Sequence, residues 1–250
     1  MPAQPAPANV PARPSPPVGS TLGTQWGEGR ASQVQTVAAI RVTPDSQQAV
    51  ATLSYSDEAS IRLALGGRAD QQLNLLLHDG RVEWSVRDAQ NRPLPIFSAP
   101  GRKAEYHVAG RDGERYELVY VNRSQQHYEI VATVDGLDVL SGQPGSLRNR
   151  GYLLEPGETL RIDGFRKSDD EVATFRFASK SNAYASNTPA GNPRNVGVIG
   201  TALFEVRLAG ASARDLGRTS VPGGQNAFPA DSDGRGSGGA GRFAPPPQYR

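Results

Sequence analysis

Apolar residues recur along this chain in short runs with a period of two. In "QAVATLSYSDE", Ala49, Ala51, Leu53 and Tyr55 alternate with polar neighbours. In "RYELVYVNRS", Tyr116, Leu118 and Tyr120 fall on one side, and Val119 and Val121 on the other. "HYEIVATVDG" continues the pattern with Tyr128, Ile130, Ala132 and Val134, and "EVATFRFASK" sets Phe175 and Phe177 on one face with Arg176 between them. "NVGVIGTALFEVRL" is apolar nearly throughout. Successive side chains of an extended chain point to opposite faces, so this spacing predicts half-buried strands. The connectors carry turn chemistry. "HDGR" (His78–Arg81) and "RDGE" (Arg111–Glu114) contain Asp-Gly, suited to the positive-φ positions of a tight hairpin. "EPGE" (Glu155–Glu158) puts Pro then Gly at the centre of a type II turn.

One stretch competes as a helix. In "SDEASIRLALGG", Ser56 or Asp57 can cap the start and Gly66 can end it. Its apolar Ile61, Leu63 and Leu65 sit at spacing two and fit a strand as well. The capping and the Leu/Ala content favour a short helix. Many short strands, Asp-Gly and Pro-Gly turns, and no repeated strand–helix alternation predict an all-β fold: an antiparallel β-sandwich or jelly-roll-like single domain.

Composition sets the boundaries. Glycine (28) and proline (20) exceed their ordinary share, and the excess is concentrated at the ends. The expected organisation is a disordered Pro-rich arm at 1–34, a leading strand or arm with the short helix at 35–72, the sandwich at 73–208, and a disordered Gly/Pro-rich tail at 209–250. Residues 35–72 are either the first strands of the sandwich or an arm laid across it. Pro245–Pro247 with Tyr249 are read most simply as a solvated end, the other reading being a ligand for an aromatic groove.

Charge and cysteine narrow the classes. The net charge is +2 and the arginines are scattered among Asp and Glu. A nucleic-acid binder usually clusters its basic residues with stacking aromatics, so nucleic acid is not an expected partner. Cysteine is absent, which removes disulfides, thiolate nucleophiles and zinc–thiolate sites. No stretch approaches the length of about 20 apolar residues that crosses a bilayer. Met1 precedes Pro2 and Ala3, without the basic start or apolar core of a signal peptide. Pro/Ala-rich leaders commonly follow a secretory or lipoprotein cleavage site. Met1 is therefore expected to stand in place of a removed signal, and the protein to work in the periplasm or at the surface of a Gram-negative cell, with the cytoplasm as alternative.

"VDGLDVLSGQPGSLRNRGYLLEPGETLRIDGFRKSDDEVATFRF", followed by "NAYAS" and "NVGVIGTALF", resembles an uncharacterised family of proteobacterial proteins often predicted to be exported. "LGTQWGEGRASQV" and "ATLSYSDEASIR" resemble the leading part of the same family, so the likeness covers most of Leu22–Glu205. It implies export and one folded unit, and carries over no activity, cofactor or catalytic residue.

The candidate chemistry is sparse. His78, His107 and His127 show no ligand spacing, and Asp135, Asp138, Asp163, Asp169 and Asp170 lack the alternation of a calcium loop. Ser141 and Ser146 occupy no nucleophile elbow, and Asp163 and Glu171 are a candidate carboxylate pair for glycan hydrolysis that surface ion pairing explains more simply. No cofactor, metal or catalytic residue is expected. The loop "SGQPGSLRNRG" displays Arg148 and Arg150, "GFRKS" adds Arg166 and Lys167, and "NPRN" adds Arg194. These five form a candidate anion-binding set for an acidic partner loop or a carboxylate-bearing glycan. The alternative is that each orders its own loop through a nearby acid. The function expected is a non-enzymatic cell-envelope binding or assembly module. The alternatives are an envelope hydrolase acting on glycan or ester bonds, and a subunit that adds its N-terminal arm to a neighbour's sheet.

Overall fold

The computed structural model describes residues 19–66, 69–100, 105–209 and 242–249, and the backbone of 225–227. Among these residues the strands form two packed sheets. The first runs in the order Leu22–Ala31, Glu171–Ser179, Arg115–Asn122, Val82–Asp88, Leu75–Leu77. Thr159–Ile162 and Gly164–Arg166 pair beside it with Arg115–Asn122 and Glu171–Ser179 respectively. The second sheet centres on Val198–Leu208, flanked by His127–Val134 and Ala49–Ser56. Tyr106–Ala109, Ile96–Ser98 and Asp70–Gln72 extend it on one side; Tyr152–Leu154, Gln225–Ala227 and Val34–Thr36 extend it on the other. Pairing is antiparallel except at two places. Ala49–Ser56 runs parallel to Tyr106–Ala109, and Gln225–Ala227 runs parallel to Val34–Thr36. Among the described residues the fold is an all-β sandwich with one α-helix.

The alternating patterns predict the core faces. Leu118, Tyr120, Phe175 and Phe177 of the first sheet and Leu53, Tyr55, Ile130 and Leu203 of the second are buried in one shared cluster. Burying side chains of this size stabilises the fold by about 1.5–3 kcal/mol each. Rings pack within and across the layers: Tyr116 stacks on Phe177 of the same sheet with centroids 4.3 Å apart, and Tyr55 lies 5.3 Å from Phe177 across the sandwich.

Three turns have distinct fates. "HDGR" closes a hairpin between Leu75–Leu77 and Val82–Asp88, with positive φ at His78, Asp79 and Gly80. "RDGE" makes no hairpin: it carries the chain from Tyr106–Ala109 in the second sheet to Arg115–Asn122 in the first. "EPGE" crosses between sheets too, from Tyr152–Leu154 to Thr159–Ile162, with Gly157 at positive φ as a type II turn requires.

The helix forms at Glu58–Leu65. The Asp57 carboxylate accepts from the Ser60 amide at 2.9 Å, satisfying one donor of the first turn. Ile61 packs against Phe97 and Ala109, and Gly66 ends the helix at φ 79°. Hydrogen bonds from the Ser60 and Thr21 hydroxyls hold the Asp57 carboxyl down at about 2. Asp57→Ala is expected to cost about 1 kcal/mol in urea unfolding at neutral pH. That deficit shrinks as pH falls from about 4 towards 2, because a carboxyl with a depressed folded pKa loses its contribution there.

The folded body starts earlier than expected. Leu22–Ala31 lies within the segment assigned to the N-terminal arm, yet it is an edge strand paired along Glu171–Ser179. Gly27 and Gly29 hide its alternation, and Gly27 is needed: a Cβ there would lie 2.4 Å from Thr174 Oγ1 and 2.5 Å from the Thr174 carbonyl oxygen. Residues 35–72 likewise supply first strands rather than an overlying arm. In the tail, Gln225–Ala227 pairs beside Tyr152–Leu154 and residues 242–249 lie against the body. The expected disorder of 1–18, 210–224 and 228–241 lies outside the described residues. Among those described, no helix is long and apolar enough to cross a membrane.

Candidate functional site

The outer face of the second sheet carries a groove along its central strand. Antiparallel register aligns Val50, Ala202 and Val131 in one row across three strands, and Thr52, Gly200 and Thr133 in the next. The central strand contributes only alanine and glycine to these rows. Its middle is therefore low, with larger side chains on both sides. Loop residues Gly145–Leu147 form one wall and Asn195 stands at the end, enclosing about 320 Å³. Val50 (55 %) and Leu147 (45 %) remain exposed at the mouth. Glycine is required at the loop's foot, since a Cβ on Gly145 would lie 2.6 Å from Thr133 Cγ2.

The wall is held by an arginine that sequence reasoning missed. Arg41 reaches over the outer face from the short strand Ala39–Arg41. Its Nε donates to Glu129 Oε2 at 2.5 Å, Nη1 to the Leu147 carbonyl at 2.6 Å, and Nη2 to the Asn149 carbonyl at 2.7 Å. The guanidinium lies over the Phe204 ring, 3.6 Å from its centroid. Glu129 is fully buried, and its other oxygen accepts from the Gly151 amide at 2.8 Å. A planar fork suits this task because it bonds three acceptors while stacking on an aromatic face. Nothing local marks the pair in sequence: Arg41 sits in an ordinary "AIR" and meets partners from three distant segments.

The five sequence-nominated cations do not form one site. Arg148 is exposed and follows Leu147 in the groove wall, and Arg194 is exposed and precedes Asn195 at the groove's end. Arg194 rides on the short 3₁₀ turn Pro193–Asn195, where Asn192 Oδ1 accepts from its amide at 3.0 Å. Arg150 is half-buried and already engaged. Arg166 is a correction. It is completely buried in the strand Gly164–Arg166, where it donates to the Tyr152 hydroxyl at 3.1 and 3.2 Å and to Ser32. A residue between Phe165 and Lys167 looked like loop; pairing with Glu171–Ser179 made it strand and turned its side chain inward. Lys167 bonds Glu171 at 2.6 Å, at the edge of the other sheet.

No family model, curated protein or solved structure matches this chain. Its chemistry rests on its own geometry.

The remaining candidates have structural work. The Ser141 hydroxyl donates to Asp138 at 2.7 Å, closing its own loop. Asp163 lies 3.4 Å from Arg30, and burial raises its carboxyl pKa. His107 is buried in a strand, and burial lowers its pKa. Among the described residues, no three His, Asp or Glu side chains are placed to hold a metal ion.

A polar network runs through the interior. Asp135 occupies the Asp-Gly hairpin turn at φ 54° and points between the sheets. It accepts from the Tyr55 hydroxyl at 2.6 Å and from the Thr24 and Gly197 amides at 2.8 Å each. Thr24 Oγ1 continues the chain to Tyr55 (2.7 Å) and Tyr116 (2.6 Å). Burial pushes the Asp135 carboxyl up to about 6 against the pull of its three donors. The network joins Leu22–Ala31 and Arg115–Asn122 of the first sheet to Ala49–Ser56 and the Asp135 turn of the second and fixes their relation.

Proposed function

We propose that the protein is a non-enzymatic binding module of the Gram-negative cell envelope, and that its ligand is an acidic segment of a partner protein seated in the outer-face groove. The observation that carries this is the pair of rows Val50–Ala202–Val131 and Thr52–Gly200–Thr133, low in the middle and bordered by the Leu147–Arg148 and Arg194–Asn195 loops. An apolar side chain of the partner fits the first row. Hydroxyls of Thr52 and Thr133 offer hydrogen bonds in the second. Carboxylates beside that side chain meet Arg148 and Arg194, which steer association and fix orientation. The Arg41 clamp holds the wall ready, so little ordering is required on binding. The envelope location is supported by the resemblance to exported proteins.

A displayed peptide library tests this. Selected sequences are expected to place Asp or Glu beside one apolar residue. Gly200→Val fills the low centre of the groove, and its Cβ meets only the Thr133 hydroxyl. It is expected to weaken the selected peptides at least tenfold, about 1.4 kcal/mol, with unfolding midpoints changed little. The double variant Arg148→Glu/Arg194→Glu is expected to weaken them similarly and to reverse the salt dependence of the on-rate, which then rises with salt. Peptides that bind Gly200→Val undiminished would place the ligand elsewhere.

A further inference from the structure

The end of the chain occupies a built seat on the body. The Ala244 amide donates to the Arg166 carbonyl at 2.9 Å, the Tyr184 hydroxyl to the Pro245 carbonyl at 2.6 Å, and the Gln248 amide to the Asn187 carbonyl at 2.6 Å. Arg242 bonds Thr36 Oγ1 (2.9 Å) and Asp169 (3.1 Å) at the entry. Ala244 is 5 % exposed and belongs to the main apolar cluster. The seat is shaped for it: a Cβ on Gly142 would lie 2.8 Å from the Ala244 methyl and 2.9 Å from the Tyr184 hydroxyl. Tyr184 is fixed by Trp26 and Phe165, whose ring centroids lie 4.9 and 4.7 Å away.

We infer that this crevice is a recognition site for an extended proline-rich segment led by alanine, filled by the chain's own residues 242–249 and open to the same segment of a second copy. A proline run is pre-extended and loses little freedom on docking, so a few main-chain hydrogen bonds and one anchoring side chain suffice to hold it. The contacts made here are of that kind: one buried methyl, a carbonyl bonded by a tyrosine, and two amides bonded to main-chain carbonyls, one of a strand and one of a loop. Pro245 and Pro246 stay exposed, so the body grips the segment along one edge only. Such a hold is tight for a tethered segment and weak for a free one, which is the condition for exchange between copies.

The test uses the full chain and a labelled synthetic peptide spanning Arg242–Arg250. Ala244→Asp places a charge in a crevice with no room for it and should eject the resident segment. The peptide is then expected to bind that variant at least tenfold more tightly than wild type. Adding Tyr184→Phe to it should weaken the peptide severalfold, and a scrambled peptide should not bind. Wild-type protein at rising concentration should show a dimer by light scattering that excess peptide dissolves. Replacing Pro245, Pro246 and Pro247 together by glycine provides a second way to empty the seat. Equal peptide binding to wild type and to both emptied variants, or equal binding of the scrambled peptide, overturns the inference.

Discussion

Arg41→Met is expected to destabilise the fold by about 3–5 kcal/mol, measured by urea unfolding at neutral pH. Glu129 is wholly buried, and the Arg41 guanidinium is the cation bonded to it. Removing one partner of a buried pair leaves a charge in an apolar setting, which costs far more than the pair contributes when intact. The Leu147 and Asn149 carbonyls lose their donors in the same step, and Phe204 loses the cation over its ring. Arg41→Lys keeps the charge but cannot bond three acceptors at once, and a loss of about half that size is expected. The double variant Arg41→Met/Glu129→Met removes both charges and is expected to recover most of the stability. Peptide binding in the groove should not recover with it, because the Gly145–Leu147 wall has lost its anchor. Recovery of stability without recovery of binding separates the clamp's two roles.

Replacing Asp135 by asparagine is expected to abolish a pH dependence of about 3 kcal/mol between pH 4 and 6. The folded carboxyl titrates near 6 and the unfolded one near 3.8. Across that window the native state holds a proton that the unfolded state has released, so the wild type loses stability as pH rises and the loss is complete above about 6. In the protonated form, the hydroxyls of Tyr55, Thr24 and Tyr116 can reverse direction along their hydrogen-bonded chain and accept the new donor. Asparagine tolerates the positive φ of the turn, but its amide meets one of the N–H or O–H donors that the carboxylate satisfied. Asp135→Asn should therefore be about 1–3 kcal/mol less stable than wild type near pH 4, with the gap closing by pH 8. Asp138 and Asp163, whose carboxyls are raised by burial, and Glu28, held at about 2 by Arg176, titrate in both proteins. Their slopes cancel in the difference between the two curves.

What was legible in the sequence was what repeats locally. Leu118, Ile130 and Phe177 betrayed their strands because apolar residues recur two positions away from each, and Asp57 with Gly66 betrayed the helix because its caps lie within one short window. Leu22–Ala31 escaped because Gly27, which lets it approach Thr174, and Gly29 erase its alternation. Arg166 was misplaced for the opposite reason: flanking Gly, Lys and Ser imitate a loop while cross-strand pairing makes a strand. Of the candidate site, only Arg148 and Arg194 were nameable in advance. The groove is a product of register, since Val50, Val131 and Ala202 become neighbours only when three distant strands align. The same holds for Arg41, whose partners lie far along the chain.

A photoreactive residue at position 50, on the mouth of the groove, probes the binding surface directly in living envelopes. Irradiation is expected to yield one adduct whose cross-linked partner peptide carries Asp or Glu beside an apolar residue. Gly200→Val, and separately Arg148→Glu/Arg194→Glu, should remove it. The same photoreactive residue at position 63, on the exposed side of the helix, should give none. Equal adducts from positions 50 and 63, or an adduct at 50 that survives both variants, would contradict a binding surface in the groove.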